Sequence, residues 1–168
     1  MNKVRILLCM LLCTLFLCAC VKNEPELIKP ANFYYCNQEV SYNTPTGIIS
    51  PEVREASGIS ENDIVHYLEE YLKGPVSDSL YSIIPEKTRL LSVQIYGTTA
   101  DIDFSKEFSN LSGIDLTRAA VCIVKSLHDF AGIETVILSA DGSLLNEKDY
   151  FILSMEEIIS MDTAAMEE

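Results

Sequence analysis

The sequence predicts an α+β two-layer sandwich: one sheet of about four strands with two helices on one face, in the order strand, helix, hairpin, helix, strand. Three observations carry this reading. Two segments place apolar residues at helical spacing, around Ile64–Leu72 and Leu116–Phe130. Two neighbouring segments, Leu91–Ile95 and Ala100–Phe104, alternate apolar and polar residues with period two around Gly97-Thr98, as a hairpin does. Aromatic and β-branched runs, Phe33–Cys36 and Ile133–Ser139, open and close the set as strands.

Each element has its own signals. Phe33-Tyr34-Tyr35-Cys36 reads as the first strand and Asn43–Gly47 as turn chemistry. Ile48 to Ala56 reads as an irregular extended stretch, with Pro51 arguing for an edge. Ser60 opens the first helix, with Asp63 three residues on as in a capping box. Ile64, Leu68, Tyr71 and Leu72 share its apolar face, with Val65 beside them, and Gly74-Pro75 stops it. In the hairpin, Leu91, Val93 and Ile95 face one way, and Ala100, Ile102 and Phe104 do so in the return strand. The second helix takes Asp115 as N-cap and Gly132 as its stop. Its stripe is Leu116, Ala119, Ala120, Ile123, Val124 and Leu127. The last strand ends at Asp141-Gly142, and Tyr150–Ile159 offers a short strand or amphipathic turn before a frayed end.

The N-terminus reads as an address. Lys3 and Arg5 precede an uncharged apolar run from Ile6 to Ala19. That run is shorter than the ~20 residues a membrane-spanning helix needs, and with its basic start it has the grammar of a signal peptide. Leu17-Cys18-Ala19-Cys20 reads as a lipobox. Cys20 is the predicted lipidation site, because only a thiol there can take a diacylglyceryl thioether. A retained N-terminal anchor is the alternative, and both place the remainder outside the cytoplasmic membrane. Residues 1–19 are thus the lipoprotein signal peptide and 20–31 a polar tether containing Pro25 and Pro30. Residues 32–142 form the domain, and 143–168 a C-terminal extension, partly disordered. The tether reaches about 30 Å at most.

Charge and cysteine content narrow the function classes. The chain carries 12 Lys and Arg against 25 Asp and Glu. Without Lys3 and Arg5, 10 basic residues face 25 acidic ones, a formal charge of −15. Nucleic acid is excluded as a partner, since phosphate binding needs a basic face. Solubility explains the charge, and a basic protein partner would also suit it. Four of the six cysteines lie in residues 9–20, leaving Cys36 and Cys122 for the domain. They read as two buried free thiols, with a disulfide as the alternative in an oxidising compartment. No spacing supports a metal site, and no cofactor fingerprint occurs.

Five pieces of sequence in order carry a resemblance. Tyr71-Leu72-Lys73-Gly74-Pro75 is followed by Ser82-Ile83-Ile84-Pro85-Glu86-Lys87-Thr88 and by Leu90-Leu91-Ser92-Val93. Then come Thr99–Phe108 (TADIDFSKEF) and Phe130–Val136 (FAGIETV). The chain resembles the sporulation and spore germination domain, the GerMN domain, over roughly Asn32 to Gly142. The resemblance implies a lipoprotein or membrane-anchored protein of a Gram-positive bacterium. It also implies a fold similar to ring-building modules that act by protein–protein packing, and no catalytic residue to carry over. The chain has one copy of the domain, where the spore protein has two.

Candidate sites outside that resemblance are few. Asp101 and Asp103 share a strand face about 7 Å apart, a separation seen in inverting glycosidases, yet the same pattern is that of a solvated strand face. His66 and His128 sit on helices beside apolar residues and read as surface positions. Tyr34, Tyr35, Tyr67, Tyr71, Tyr81 and Tyr96 could supply stacking surfaces for a wall glycan or small ligand. The expectation is therefore a lipid-anchored, non-catalytic interaction module on the extracytoplasmic face of the cell membrane. It would meet a protein partner or self-associate there, with an envelope ligand-binding lipoprotein as the alternative.

Overall fold

A computed structural model describes residues 30–39, 47–55, 63–145 and 151–158. The expected signal peptide, Cys20, Ser60 and the frayed end lie outside these residues. β1 (Pro30–Asn37) pairs antiparallel with β2 (Ile49–Glu55) and, at its end, with the short β3 (Leu80–Tyr81). Between β2 and β3 lies helix α1 (Ile64–Leu72). β4 (Leu90–Tyr96) and β5 (Thr99–Phe104) form the hairpin. A 3-10 turn (Lys106–Asn110) leads to α2 (Gly113–Ala131), which crosses over to β6 (Thr135–Ala140), parallel to β5. β7 (Ser143–Leu144) and β8 (Phe151–Ser154) both pair antiparallel with β6.

The single sheet expected from the sequence is two sheets, ordered β2-β1-β3 and β4-β5-β6-β7, with β8 also on β6. The reason lies in α2. Its expected stripe of Leu116, Ala119, Ala120, Ile123, Val124 and Leu127 is buried, but so are Cys122 and Ser126. An arc that wide cannot be covered by one sheet. α2 packs on β1 as well as on β6 and β8, so the two sheets share it. The core-facing residues of the larger sheet, among them Ala100, Ile102, Phe104, Val136 and Leu138, are fully buried.

The element ends follow local chemistry. Gly132 stops α2 in the left-handed region at φ 67°, and its N–H bonds the His128 carbonyl. Gly74, at φ 83°, does the same for α1. α1 starts at Asp63, whose carboxylate accepts the His66 N–H at 3.0 Å. Asp63 is thus the N-cap itself rather than the second member of a capping box. α2 starts earlier than Leu116, with Ser112 as N-cap and Asp115 inside the first turn, where a negative charge suits the helix dipole.

Two further differences concern strands. Pro30 and Ala31, assigned to the tether, belong to β1, where Ala31 is buried opposite Arg54. The expected face of Leu91, Val93 and Ile95 is broken by a bulge between Leu90 and Ser92. Leu90, Val93 and Ile95 pair with the core-facing Phe104, Ile102 and Ala100, leaving Leu91 as the extra residue. β4, the terminal strand of its sheet, is largely exposed, with Leu91 at 49%, Ile95 at 44% and Tyr96 at 61%. Beyond Gly142 the sheet continues: Tyr150–Ile159 contributes β8 and a helical turn at 155–158.

Candidate functional site

Polar groups concentrate in two places, around β1 and on the outer face of β5. β1 runs between β2 and an edge that β3 covers only at Cys36 and Asn37. Along the uncovered part, three side chains stand in for a neighbouring strand. The Tyr67 hydroxyl donates to the Asn32 carbonyl at 2.5 Å. The Tyr34 N–H donates to Ser126 Oγ at 2.9 Å, and the Tyr71 hydroxyl donates to the Tyr34 carbonyl at 3.1 Å. A buried strand edge must satisfy its backbone groups somewhere, and here α1 and α2 supply hydroxyls.

The same tyrosines build the aromatic core. Phe33 stacks on Tyr67 with centroids 4.5 Å apart, Tyr35 on Tyr71 at 4.9 Å, and Tyr67 on Phe130 at 4.2 Å. Burial pushes the Tyr35 hydroxyl up to about 12, and those of Tyr67 and Tyr71 higher, so all stay protonated and able to donate. Arg54 lies over the Phe33 ring at 4.7 Å and donates to the Gly74 carbonyl at 2.6 Å and the Tyr35 hydroxyl at 3.2 Å. Its partner Glu52, 2.5 Å away, accepts the N–H groups of Val76 and Ser77. Burial raises the Glu52 pKa, but these N–H groups and Arg54 outweigh it and hold the carboxyl below its usual range. The Tyr35 hydroxyl in turn donates to the Tyr71 carbonyl at 2.8 Å, one of those that the end of α1 leaves open.

Six tyrosines were candidates for a stacking surface. Tyr35, Tyr67 and Tyr71 are fully buried and engaged as above. Tyr34 is half-buried: its hydroxyl donates to Asp129 at 2.8 Å and Lys125 lies over its ring. Tyr81 is half-buried next to Cys36, and Tyr96 alone of the six is exposed. The tyrosines therefore do not converge on one surface. Sequence reading placed Tyr71 on the buried face and missed Tyr67, although its four-residue spacing from Tyr71 was the available signal.

Asp101 and Asp103 do share the outer face of β5, but they are not equivalent. The Asp103 carboxylate accepts the Ser139 hydroxyl at 2.8 Å and the Gly142 N–H at 3.1 Å. It thereby pins the two-residue turn joining β6 to β7, where Asp141 and Gly142 both have positive φ, 54° and 65°. Asp-Gly is the residue pair that a type I′ hairpin turn prefers, so the signal for β7 was present in the sequence. A carboxylate holding a turn is structural chemistry, and the glycosidase-like spacing has this cause.

The remaining candidates separate. His66 faces Glu69 at 3.8 Å and His128 faces Asp129 at 3.7 Å, on different helices. Cys36 and Cys122 are both buried with free thiols. Among the described residues, no three His, Cys, Asp or Glu side chains are placed to hold a metal ion. No described helix is long and apolar enough to cross a membrane. Thr88, in the Ile-Pro-Glu-Lys-Thr segment, has a buried hydroxyl with no hydrogen-bond partner. The neighbouring Ser105 is engaged, with Oγ accepting the Arg89 N–H at 3.0 Å.

The arrangement defines a small mixed α/β domain of two sheets sharing one helix, with its buried tyrosines, Ser126 and Asp103 bonded to its own backbone. The chain belongs to the Germane family, described as sporulation and spore germination, whose model matches residues 32–146. The fold is similar to the first GerMN domain of the sporulation protein GerM from Bacillus subtilis, with a TM-score of 0.57 and 21% identity, covering 76% of this chain and 98% of that one. It is similar again to the tandem GerMN domains of the same protein, with a TM-score of 0.55 and 21% identity over 74% of this chain. There it spans 44% of the longer chain. A candidate lipoprotein from Clostridium perfringens aligns at TM-score 0.48 and 21% identity, over 78% of this chain and 91% of that one. Comparison with curated proteins returned no match.

Proposed function

We propose that this chain is a lipid-anchored, non-catalytic interaction module on the outer face of the cell membrane, serving spore formation or germination. Family membership supports the process, and the lipobox ending in Cys20 supports the anchor. The observation that carries the interaction reading is how the side chains are used. Asp103 and the buried tyrosines, which a catalytic or ligand-binding reading would need, are committed to the fold. Three exposed apolar side chains lie along the terminal strand of the larger sheet: Ile95 on the face of Ala100, Tyr96 on the opposite face and Leu91 at the bulge.

A protein is the occupant that suits this strand. β4 offers apolar side chains and one backbone edge that no other described strand pairs. Asp101, opposite Gln94 on the adjoining β5, adds a negative charge beside it. With a formal charge of −15 after signal removal, a partner with a basic rim is favoured over a second copy of the same acidic chain.

Capture of the full chain from membranes tests this. The parent should retain a defined basic protein that a Leu91→Glu, Ile95→Glu double variant loses. Equal recovery by both variants, or none by the parent, refutes the surface. The anchor is tested separately: Cys20→Ser should release the chain from membranes, and unchanged membrane retention refutes lipidation.

A further inference from the structure

β1 and α2 lie against each other in matched register. The Tyr34 N–H meets Ser126 Oγ at 2.9 Å, and Asn32 Nδ2 meets the Asp129 carboxylate at 2.9 Å. Two residues along a strand advance about 6.6 Å, and four residues along a helix about 6 Å. Stepping from Tyr34 to Cys36, and from Ser126 back to Cys122, therefore brings two thiols opposite each other. Both are buried, at 0% and 1% exposure. They also interact directly. The Cys122 side chain draws the Cys36 pKa down against the effect of burial, whereas Cys36 and burial push that of Cys122 up.

We propose that Cys36 and Cys122 are a modification site: a disulfide that staples β1 to α2 once the chain stands in an oxidising compartment. The proposal rests on the envelope reading for its oxidant, and on this structure for its geometry. The reaction is thiol–disulfide exchange. One thiolate attacks an external disulfide to give a mixed disulfide, and the second thiolate displaces the external thiol. Each cysteine gives up one proton and one electron, the Sγ–Sγ bond forms, and the external disulfide is reduced to two thiols. Because both sulfurs are buried, exchange takes place before α2 docks on β1 or when it opens. Once closed, the same burial shields the bond from reductants.

The bond would fix the contact that unites the two sheets. It would also close the segment carrying β2, α1, β3, β4 and β5, a long loop of the kind for which cross-linking restricts the unfolded chain most. For a body of this size the oxidised protein should melt on the order of 10 °C above the reduced one.

The test uses the purified full chain, reduced, unfolded, and then refolded in a buffer of oxidised and reduced glutathione. Peptide mapping without reduction should show the Cys36 peptide joined to the Cys122 peptide as the dominant product. The melting temperature should fall when the protein is refolded with excess reductant instead. Separate alkylation of both cysteines, or pairing of either with Cys9, Cys13, Cys18 or Cys20, overturns the proposal. This arm does not depend on location. A Cys36→Ala, Cys122→Ala double variant should lack the joined peptide and melt with the reduced parent; if it does not fold, the parent with and without reductant still decides. Acid-trapped cells, probed for alkylation and for protease access from outside, separate the two claims. A joined pair in accessible chain supports the staple, and a reduced pair in accessible chain overturns it. Inaccessible chain counts against the envelope reading and leaves the refolding result to decide the pair.

Discussion

Replacing Ser126 by alanine probes the device that lets β1 do without a full neighbouring strand. Ser126 is wholly buried in α2, and its hydroxyl oxygen is the acceptor for the Tyr34 N–H at 2.9 Å. In Ser126→Ala that N–H faces a methyl group, and no water has an open path through the packed helix. Leaving a buried donor unsatisfied costs about 1–3 kcal/mol. Alanine is the better helix former and returns about 0.5 kcal/mol. The net loss is therefore about 1.5 kcal/mol, and with an m-value near 1.5 kcal/mol/M the urea midpoint should drop by about 1 M. Circular dichroism during urea titration reads the midpoint. Hydrogen exchange adds a local signature, because the Tyr34 amide should exchange about tenfold faster while amides in the β4–β5 ladder keep their parental order. A variant as stable as the parent, with Tyr34 exchange unchanged, would refute the idea that side-chain hydroxyls complete this strand edge.

Three further outcomes follow from the same geometry. Asp103→Ala should destabilise the fold by about 1–2 kcal/mol through loss of its bonds to Ser139 and Gly142, Asp103→Asn should recover part of that by keeping one acceptor, and Asp101→Asn should be within about 0.5 kcal/mol of the parent in thermal melts. Thr88→Val should be neutral or stabilising by up to about 1 kcal/mol, since it removes a buried hydroxyl that has no partner; clear destabilisation in the same melts would contradict the assignment. Acid should weaken the fold through Glu52 and Asp129. Burial raises both, but their N–H and O–H donors outweigh it and hold the pKa values below the ordinary ones of 4.5 and 3.8, so the stability they contribute is complete above those values and is lost as pH falls through the lower folded ones. Glu52→Gln should flatten this acid limb in denaturation curves taken from pH 6 downwards.

The local half of the fold was legible in the sequence, and the non-local half was not. Gly74 and Gly132 announce helix ends because few other residues accept a positive φ, and both stand where expected. The Gly97-Thr98 hairpin was legible for a similar reason, with Gly97 at φ 63° and Tyr96 pairing with Thr99. Which strands share a sheet depends on contacts between distant segments. The β1–β2 pairing that splits the sheet in two spans chain whose composition carries no register signal. Ser126 shows the difficulty well. A serine within an apolar helical stripe looks like a neutral filler, and only the arrival of β1 turns it into a needed acceptor. Asp103 shows the converse, a residue whose spacing suggested chemistry and whose partners make it a turn clamp. The bulge at Leu90–Ser92 moved Leu91 off the expected face, where it adds to the exposed apolar surface along β4.

That surface is where the functional account can fail most cleanly. A photo-crosslinking residue placed at Tyr96 in the full chain, on intact cells, reports directly what β4 touches. The account predicts a discrete adduct with a basic protein, absent when the probe sits at Ile114, an equally exposed apolar position at the start of α2. No protein adduct at Tyr96, or the same adducts from both positions, would contradict it.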